Sequence, residues 1–262
     1  MKNKALAVVL IIGLALASCA TSQQRLAKER EKDPQYQYEK AVVCMQARLV
    51  DEAFKYLNQT LILDPRHALA LNLLGLAHMM KENAAEAVKA FERCLAINSG
   101  FSEGHNNLGT AYQELGSLNK AEEEYQKAFA LDQNYNAGYN LAKLYFLKKD
   151  MDTALDYVKK SLQKYSRSVI AWNLQGLIFD EQGKPDDAIS SYEQAQKLAP
   201  DELNVSYNLG VAYFKKENYA KSQEIMDRIL ASLAQTPPNA QTQDLRTKAN
   251  EVLKRIKEAT KK

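Results

Sequence analysis

The stretch that decides the fold is EGHNNLGTAYQELGSLNKAEEEYQKAFALD, residues 103–132, because its pattern returns along most of the chain. A second clear copy is SYNLGVAYFKKENYAKS, residues 206–222. Each copy carries a small residue at the same place. Successive small residues lie 34, 34, 33, 34 and 34 positions apart, at Ala53, Ala87, Ala121, Ala154, Ala188 and Ser222. A period of this length predicts tandem helix–turn–helix units that bury their apolar faces against one another.

Small and large residues also alternate within each predicted unit. The first helix has a small residue at Ala41, Gly75, Gly109, Ala142, Gly176 and Gly210. The second helix has a larger apolar or aromatic residue, four positions after the periodic small one, at Leu57, Phe91, Tyr125, Val158, Tyr192 and Met226. Small residues let two helix backbones approach, and large ones fill the space that remains, so the pattern favours closely packed helix pairs.

This pattern resembles the tetratricopeptide repeat. The resemblance implies an all-α fold, a right-handed α-solenoid of six helix–turn–helix repeats with a C-terminal capping helix. The repeats fall at residues 34–67, 68–101, 102–134, 135–168, 169–202 and 203–236, which together cover 203 of 262 residues. The third repeat is one residue short, and Lys149 stands where a turn glycine is usual. We expect these departures to change local pitch without breaking the stack.

The chain after the sixth repeat is predicted to close the solenoid. A helical pattern over residues 242–259 places apolar residues on one face, at Leu245, Ala249, Val252 and Ile256. Because the end of a repeat array must be covered, residues 239–262 are interpreted as an amphipathic capping helix and tail. A helix that binds a partner is the alternative.

The N-terminus has the pattern of a bacterial lipoprotein signal. Lys2 and Lys4 precede an apolar run at residues 5–17, which is short for a membrane span and typical of a signal peptide. The sequence LASC at residues 16–19 then predicts cleavage before Cys19 and its acylation. Residues 1–18 are thus the predicted signal peptide, and residues 19–33 the acylated cysteine and a polar tether. Ala20, rather than aspartate, favours the outer membrane; an ordinary secretory signal is the alternative.

Composition and residue pattern argue against catalysis and nucleic-acid binding. The net charge is +3, with both signs interspersed along the chain. None of the three histidines stands at metal-ligand spacing, and no phosphate-binding loop or nucleophile elbow occurs. We therefore predict no enzyme activity, cofactor, metal or small-molecule substrate. The acidic run at residues 122–124 is interpreted as a solvated helix face, and Cys44 and Cys94 as buried thiols.

In tetratricopeptide-repeat proteins the first helices line a concave wall that binds peptides or helices. Two features of this surface suggest a partner site: recurring asparagines, whose amides can donate to and accept from a peptide backbone, and exposed apolar residues. A second asparagine row, at Asn107, Asn140 and Asn208, either binds ligand as well or braces neighbouring helices. We call the predicted partner-binding residues the first-helix wall: Tyr38, Val42, Met45, Leu69, Asn72, Leu76, Met79, Met80, Asn106, Thr110, Tyr139, Lys143, Phe146, Asn173, Leu177, Tyr207, Val211 and Phe214.

Six repeats behind a lipoprotein signal resemble the pilotins of type IV pilus systems (PilF, PilW and Tgl). The resemblance implies a non-catalytic scaffold, held by acyl chains such as palmitate on the periplasmic face of the bacterial outer membrane. It also implies a protein partner, a secretin subunit, bound in the groove during secretin assembly. The alternative is an envelope adaptor of the NlpI type, which organises proteases or peptidoglycan enzymes.

Overall fold

The computed structural model describes residues 28–261, so the predicted signal peptide, Cys19 and the tether up to residue 27 lie outside the described residues. Within residues 28–261, twelve helices form six consecutive pairs: α1 (Pro34–Gln46) and α2 (Val50–Leu63), α3 (Ala68–Met80) and α4 (Ala84–Ile97), α5 (Ser102–Glu114) and α6 (Leu118–Asp132), α7 (Tyr135–Leu147) and α8 (Met151–Lys164), α9 (Val169–Glu181) and α10 (Pro185–Leu198), and α11 (Leu203–Lys215) and α12 (Tyr219–Ala234). A last helix, α13 (Ala240–Ala259), follows. The predicted all-α fold, with six helix–turn–helix repeats and a C-terminal helix, is confirmed.

The described residues divide into two compact units. The N-terminal unit runs to Glu124 and the C-terminal unit begins at Tyr125, so the division falls inside α6. In the N-terminal unit the core side chains come from α1 to α5 and include Leu57, Phe91 and Leu108. In the C-terminal unit two clusters of buried residues extend from α7 to α13.

Close contact between paired helices follows from the alternation of small and large residues. All six residues of the periodic ladder are fully buried. A Cβ atom added at Gly75 would overlap the ring of Phe91, and one added at Gly176 would overlap the ring of Tyr192. Glycine is therefore required at these two positions, because the aromatic ring of the second helix occupies the place where a side chain would lie.

The two helices of a repeat are joined by a three-residue turn whose middle residue is left-handed. This residue is Gly116 (φ 72°) or Gly183 (φ 69°) in two repeats, and Arg48 (φ 58°), Glu82 (φ 58°), Lys149 (φ 62°) and Glu217 (φ 62°) in the others. Lys149 thus keeps the conformation of the glycine that it replaces. In several repeats the last turn residue then caps the second helix; the Asp150 side chain, for example, accepts a hydrogen bond from the Thr153 amide at 3.1 Å.

Glu217→Gly is expected to stabilise the protein. A left-handed backbone costs a non-glycine residue about 1–2 kcal/mol, and the extra entropy of glycine in the unfolded chain offsets about 0.5–1 kcal/mol of the gain. Urea unfolding followed by circular dichroism should show a free energy of unfolding higher by about 0.5–1 kcal/mol. Gly183→Ala, at the equivalent turn of another repeat, makes the opposite change and is the control. It should lower the free energy of unfolding. If both variants unfold like the wild type, the turns are not strained.

The third repeat is one residue short because its connection to the fourth repeat is shorter than the other connections between repeats. α6 extends to Asp132, and only Gln133 and Asn134 separate it from α7. Gln133 adopts a positive φ of 55°. The Asn134 side chain accepts hydrogen bonds at 3.1 Å from the amides of Asn136 and Ala137, which caps the new helix. The deletion therefore shortens a linker and leaves both helices intact.

The C-terminal helix packs on the sixth repeat through its predicted apolar face. Leu245, Ala249, Val252 and Ile256 are buried in a cluster with residues of α11 and α12. The Arg246 guanidinium donates to the backbone oxygen of Leu233 at 2.9 Å, near the end of α12. α13 contacts the preceding helix pair in the same way that the first helix of a repeat contacts the pair before it.

The described end of the predicted tether contacts α1. Residues 28–30 are helical. The Glu31 carboxylate accepts hydrogen bonds from Lys40 Nζ at 2.7 Å and from Gln37 Nε2 at 2.6 Å. These two donors lower the pKa of Glu31.

Candidate functional site

In the N-terminal unit, the first-helix wall has only a few strongly exposed apolar residues. Leu69 and Met80 are 48% and 47% exposed. Leu76 and Met79 are half-buried and pack against the cluster around Phe91. Tyr38 and Met45, on α1, pack against the cluster around Leu57. Val42 is half-buried as well, and the Thr110 hydroxyl donates to the backbone oxygen of Asn106 within α5.

In the C-terminal unit, five residues of the first-helix wall line one cavity of about 440 Å³. We call it the apolar cavity; its lining residues are Tyr139, Lys143, Phe146, Leu147, Val169, Ile170, Asn173, Leu174, Leu177, Glu202, Asn204 and Val205. Leu147 and Ile170 are 64% and 56% exposed although they are large and apolar. Burial raises the pKa of the Tyr139 hydroxyl above its ordinary value. The cavity is thus an open apolar site between α7, α9 and the start of α11.

A second cavity of about 630 Å³ adjoins the first one in the same unit. We call it the acidic cavity; it is lined by Leu177, Asp201, Glu202, Leu203, Asn204, Tyr207, Asn208, Leu233, Gln241, Thr242, Asp244, Leu245 and Lys248. Burial raises the pKa of Tyr207, which lies on α11 and lines this cavity together with residues of α13. Sequence reasoning missed Asp201, Glu202 and Asp244, because they lie in a linker and on the capping helix, outside the first helices.

At the sixth repeat, α13 covers part of the first-helix wall. Val211 and Phe214 pack against the cluster that contains Leu245 and Val252. The Arg255 guanidinium lies 4.7 Å from the centre of the Phe214 ring, a cation–π contact. Lys215, the last residue of α11, forms an ion pair with Asp180 at 3.2 Å. The open part of the wall in this unit therefore lies on α7, α9 and the first turns of α11.

Asparagines of the two rows bind each other across neighbouring repeats. Asn107 Nδ2 donates to Asn72 Oδ1 at 3.0 Å, and Asn208 Nδ2 donates to Asn173 Oδ1 at 2.9 Å. Asn72 and Asn106 are buried, whereas Asn173 is half-buried and lines the apolar cavity. These bonds brace adjacent first helices, which is one of the two roles suggested above for the second asparagine row.

One acidic residue predicted to be solvated is buried beside a histidine. Glu124 Oε2 lies 2.6 Å from His105 Nδ1, and His105 Nε2 lies 3.0 Å from the backbone oxygen of Ser99. The solvated-face interpretation is therefore wrong for Glu124. The helical period places this residue on the same face as Ala121 and Ala128, which are fully buried.

The two cysteines of the described chain are free thiols with different surroundings. Cys94 is buried, and burial raises its pKa to about 11. Cys44 is partly exposed, so the expectation of two buried thiols is wrong for this residue.

Two kinds of site are not found in the part of the chain that the structure describes. Residues 28–261 contain no group of three or more histidine, cysteine or acidic side chains that could hold a metal ion. None of the helices described there has both the length and the hydropathy needed to cross a bilayer.

The helix pairs, their shared turn and the open wall of first helices define a helical-repeat scaffold. Models of the tetratricopeptide repeat match residues 45–100 and 102–135. A model of the C-terminal ARM domain of tetratricopeptide repeat protein 21 matches residues 140–249. The chain therefore contains tetratricopeptide repeats, and none of these three models describes an enzyme family.

Solved structures of other helical-repeat proteins share this fold. One chain of the Cut9–Hcn1 hetero-tetramer of the APC/C superposes with a TM-score of 0.72 at 20% identity, over 86% of this protein and 44% of that chain. This protein therefore spans less than half of the length of that chain. PilW, described as a widely conserved type IV pilus biogenesis factor, gives 0.70 at 17% identity, over 78% of this chain and 94% of PilW. PilF of Pseudomonas aeruginosa gives 0.60 at 20% identity, over 73% and 91%. A comparison with curated proteins gives no match.

Proposed function

We propose that this protein is a lipid-anchored, non-catalytic scaffold on the periplasmic face of the bacterial outer membrane. There it binds a protein partner along the first-helix wall and acts as a pilotin that assists secretin assembly for type IV pili. The observation that carries the binding role is the apolar cavity, where Leu147 and Ile170 are exposed. Covering this surface with a partner is favourable by about 25 cal/mol for each Å² of apolar area removed from water.

Two further observations support the location and the role. The LASC sequence at residues 16–19 is typical of a lipoprotein processing site, and acylation of Cys19 would hold the repeats near a membrane. The six repeats behind it give an architecture similar to that of PilW, which is a type IV pilus biogenesis factor. The proposed partner is accordingly a secretin subunit.

Deleting the gene is expected to leave secretin monomers where heat-stable multimers normally form, and surface pili should be lost. The reason is that the subunit would be neither captured nor delivered to the outer membrane. The measurement is a secretin immunoblot of unboiled samples from separated inner and outer membranes. Complementation with the wild-type gene is the control and should restore the multimers.

Unchanged multimers in the deletion strain would contradict the pilotin role. If protease or peptidoglycan-hydrolase levels change in that strain instead, the envelope-adaptor alternative accounts for the scaffold. Both readouts come from the same membrane fractions, so one experiment separates the two functions.

A further inference from the structure

The apolar cavity and the acidic cavity form one continuous groove in the C-terminal unit. They share three lining residues, Leu177, Glu202 and Asn204. The groove starts at α7, crosses α9 and reaches the first turns of α11 and α13. A ligand segment that lies in it therefore meets an apolar surface first and polar side chains afterwards.

The second half of this groove carries an excess of negative charge. Three carboxylates, of Asp201, Glu202 and Asp244, and one ammonium group, of Lys248, line the acidic cavity. Lys248 Nζ lies 2.6 Å from Asp244 Oδ2, so these two charges offset each other. Asp201 and Glu202 form no ion pair with any residue in 28–261, and both are exposed.

Capping of α11 explains only part of this acidic cluster. One oxygen of Glu202, Oε1, accepts hydrogen bonds from the backbone and side-chain nitrogens of Asn204, at 3.3 and 3.1 Å. Its other oxygen and the Asp201 carboxylate remain open to the groove. On the far side of the apolar cavity, Lys143 is exposed and forms no ion pair within the described residues. The charge therefore changes sign across the apolar cavity, from positive on α7 to negative at α11.

We propose that this groove binds a partner segment in which a bulky apolar side chain stands between an acidic residue and lysine or arginine residues. The apolar side chain fills the cavity beside Leu147 and Ile170. The basic residues face Asp201 and Glu202, and the acidic residue faces Lys143. The proposal rests on the proposed protein-binding function and adds the chemistry of the segment that is recognised.

The test uses three fluorescein-labelled peptides and the full mature protein in phosphatidylcholine nanodiscs, with empty nanodiscs as the blank. The peptide GSESLFSKSKG has the proposed order of charges, GKSKSLFSESG has the same composition with the charges in the reverse order, and GSESSSSKSKG lacks the apolar pair. Fluorescence anisotropy should show the first peptide binding at least about tenfold more tightly than either of the others at low salt. The difference between the two charged orders should shrink at about 0.5 M salt, where exposed charges are screened.

Matched variants locate the effect in the groove. Asp201→Asn combined with Glu202→Gln removes two charges but keeps a side-chain oxygen to cap α11. This double variant should bind the peptide with the proposed charge order less than about threefold more tightly than the peptide with the reverse order. Glu224→Gln with Asp227→Asn makes the same charge change on exposed positions of α12 and should keep the preference. Ile170→Ser should weaken the first peptide about tenfold, whereas Ile62→Ser, at a 72% exposed position outside the groove, should not.

Equal binding of the two charge orders by the wild type would overturn the proposal, as would a preference that survives removal of Asp201 and Glu202. A dimer in analytical ultracentrifugation that dissociates with Ile170→Ser would assign the groove to a second copy, and would overturn it as well. The outcome is separable from the pilotin test. A peptide preference with unchanged secretin multimers in the deletion strain would reject only the pilotin role. Equal binding of the two charged peptides, together with loss of the multimers in that strain, would reject only this proposal.

Discussion

Cys19→Ser is expected to disappear from the outer-membrane fraction and to incorporate no labelled fatty acid. Each buried methylene of an acyl chain contributes about 0.8 kcal/mol to membrane binding, and stable anchoring requires more than one chain or a second signal. Serine offers no thiol for acylation, so the whole anchor should be lost while the repeats stay folded. Membrane fractionation with fatty-acid labelling measures the effect.

Cys44→Ser is the control for this variant, because it removes a partly exposed thiol that lies on α1, outside the predicted lipoprotein signal. It should keep both the label and the membrane location. Labelling that persists in Cys19→Ser would reject the lipoprotein interpretation. If the released protein still supports normal secretin multimers, anchoring is not needed for the proposed pilotin role.

Tyr192→Ala is expected to cause the largest loss of stability among single substitutions in the C-terminal unit. The Tyr192 ring is fully buried and occupies the space left by Gly176. Its hydroxyl lies 3.1 Å from Asp180 Oδ2, to which it donates, and burial raises its pKa. Truncating a buried aromatic ring costs about 3–5 kcal/mol, and Gly176 facing an alanine would leave a cavity that the helix pair cannot close. Urea unfolding followed by circular dichroism measures the cost.

Two controls divide this cost between packing and the hydroxyl group. Tyr192→Phe removes only the hydrogen bond to Asp180, whose carboxylate still forms its ion pair with Lys215 Nζ at 3.2 Å. The free energy of unfolding should therefore fall by only about 1 kcal/mol. Tyr165→Ala, at a position 43% exposed, should change the free energy of unfolding by less than about 1 kcal/mol. A Tyr192→Ala protein as stable as Tyr165→Ala would show that the paired helices repack freely.

The repeats could be predicted from the sequence because their packing is local and periodic. Gly75 and Phe91, or Gly176 and Tyr192, belong to one helix pair, so sequence spacing alone places them together. The same holds for the face of α13, where Leu245 and Val252 follow the helical period. Glu124 was missed because a run of three glutamates indicates solvent, although one of the three lies on the buried face.

The groove was only partly predictable, because its exposure depends on how successive first helices lie against one another. Tyr139, Asn173 and Leu177 were predicted from their helix positions and do line the apolar cavity. Ile170 and Val205 were not predicted, although Ile170 takes the same position in its repeat as Leu69, which was. The carboxylate of Asp201 comes from a linker, for which the repeat pattern makes no prediction.

The position of α13 limits how a chain of this design can lengthen by gene duplication. α13 occupies the face of α12 on which the first helix of a seventh repeat would pack. A copy appended after α13 would find that face of α12 already covered and would leave one apolar surface uncovered. A copy inserted between residues 202 and 203 would meet the usual helix pair on both sides. New repeats are therefore expected to arise in the interior, and the pair that carries α13 is inherited unchanged as the last one.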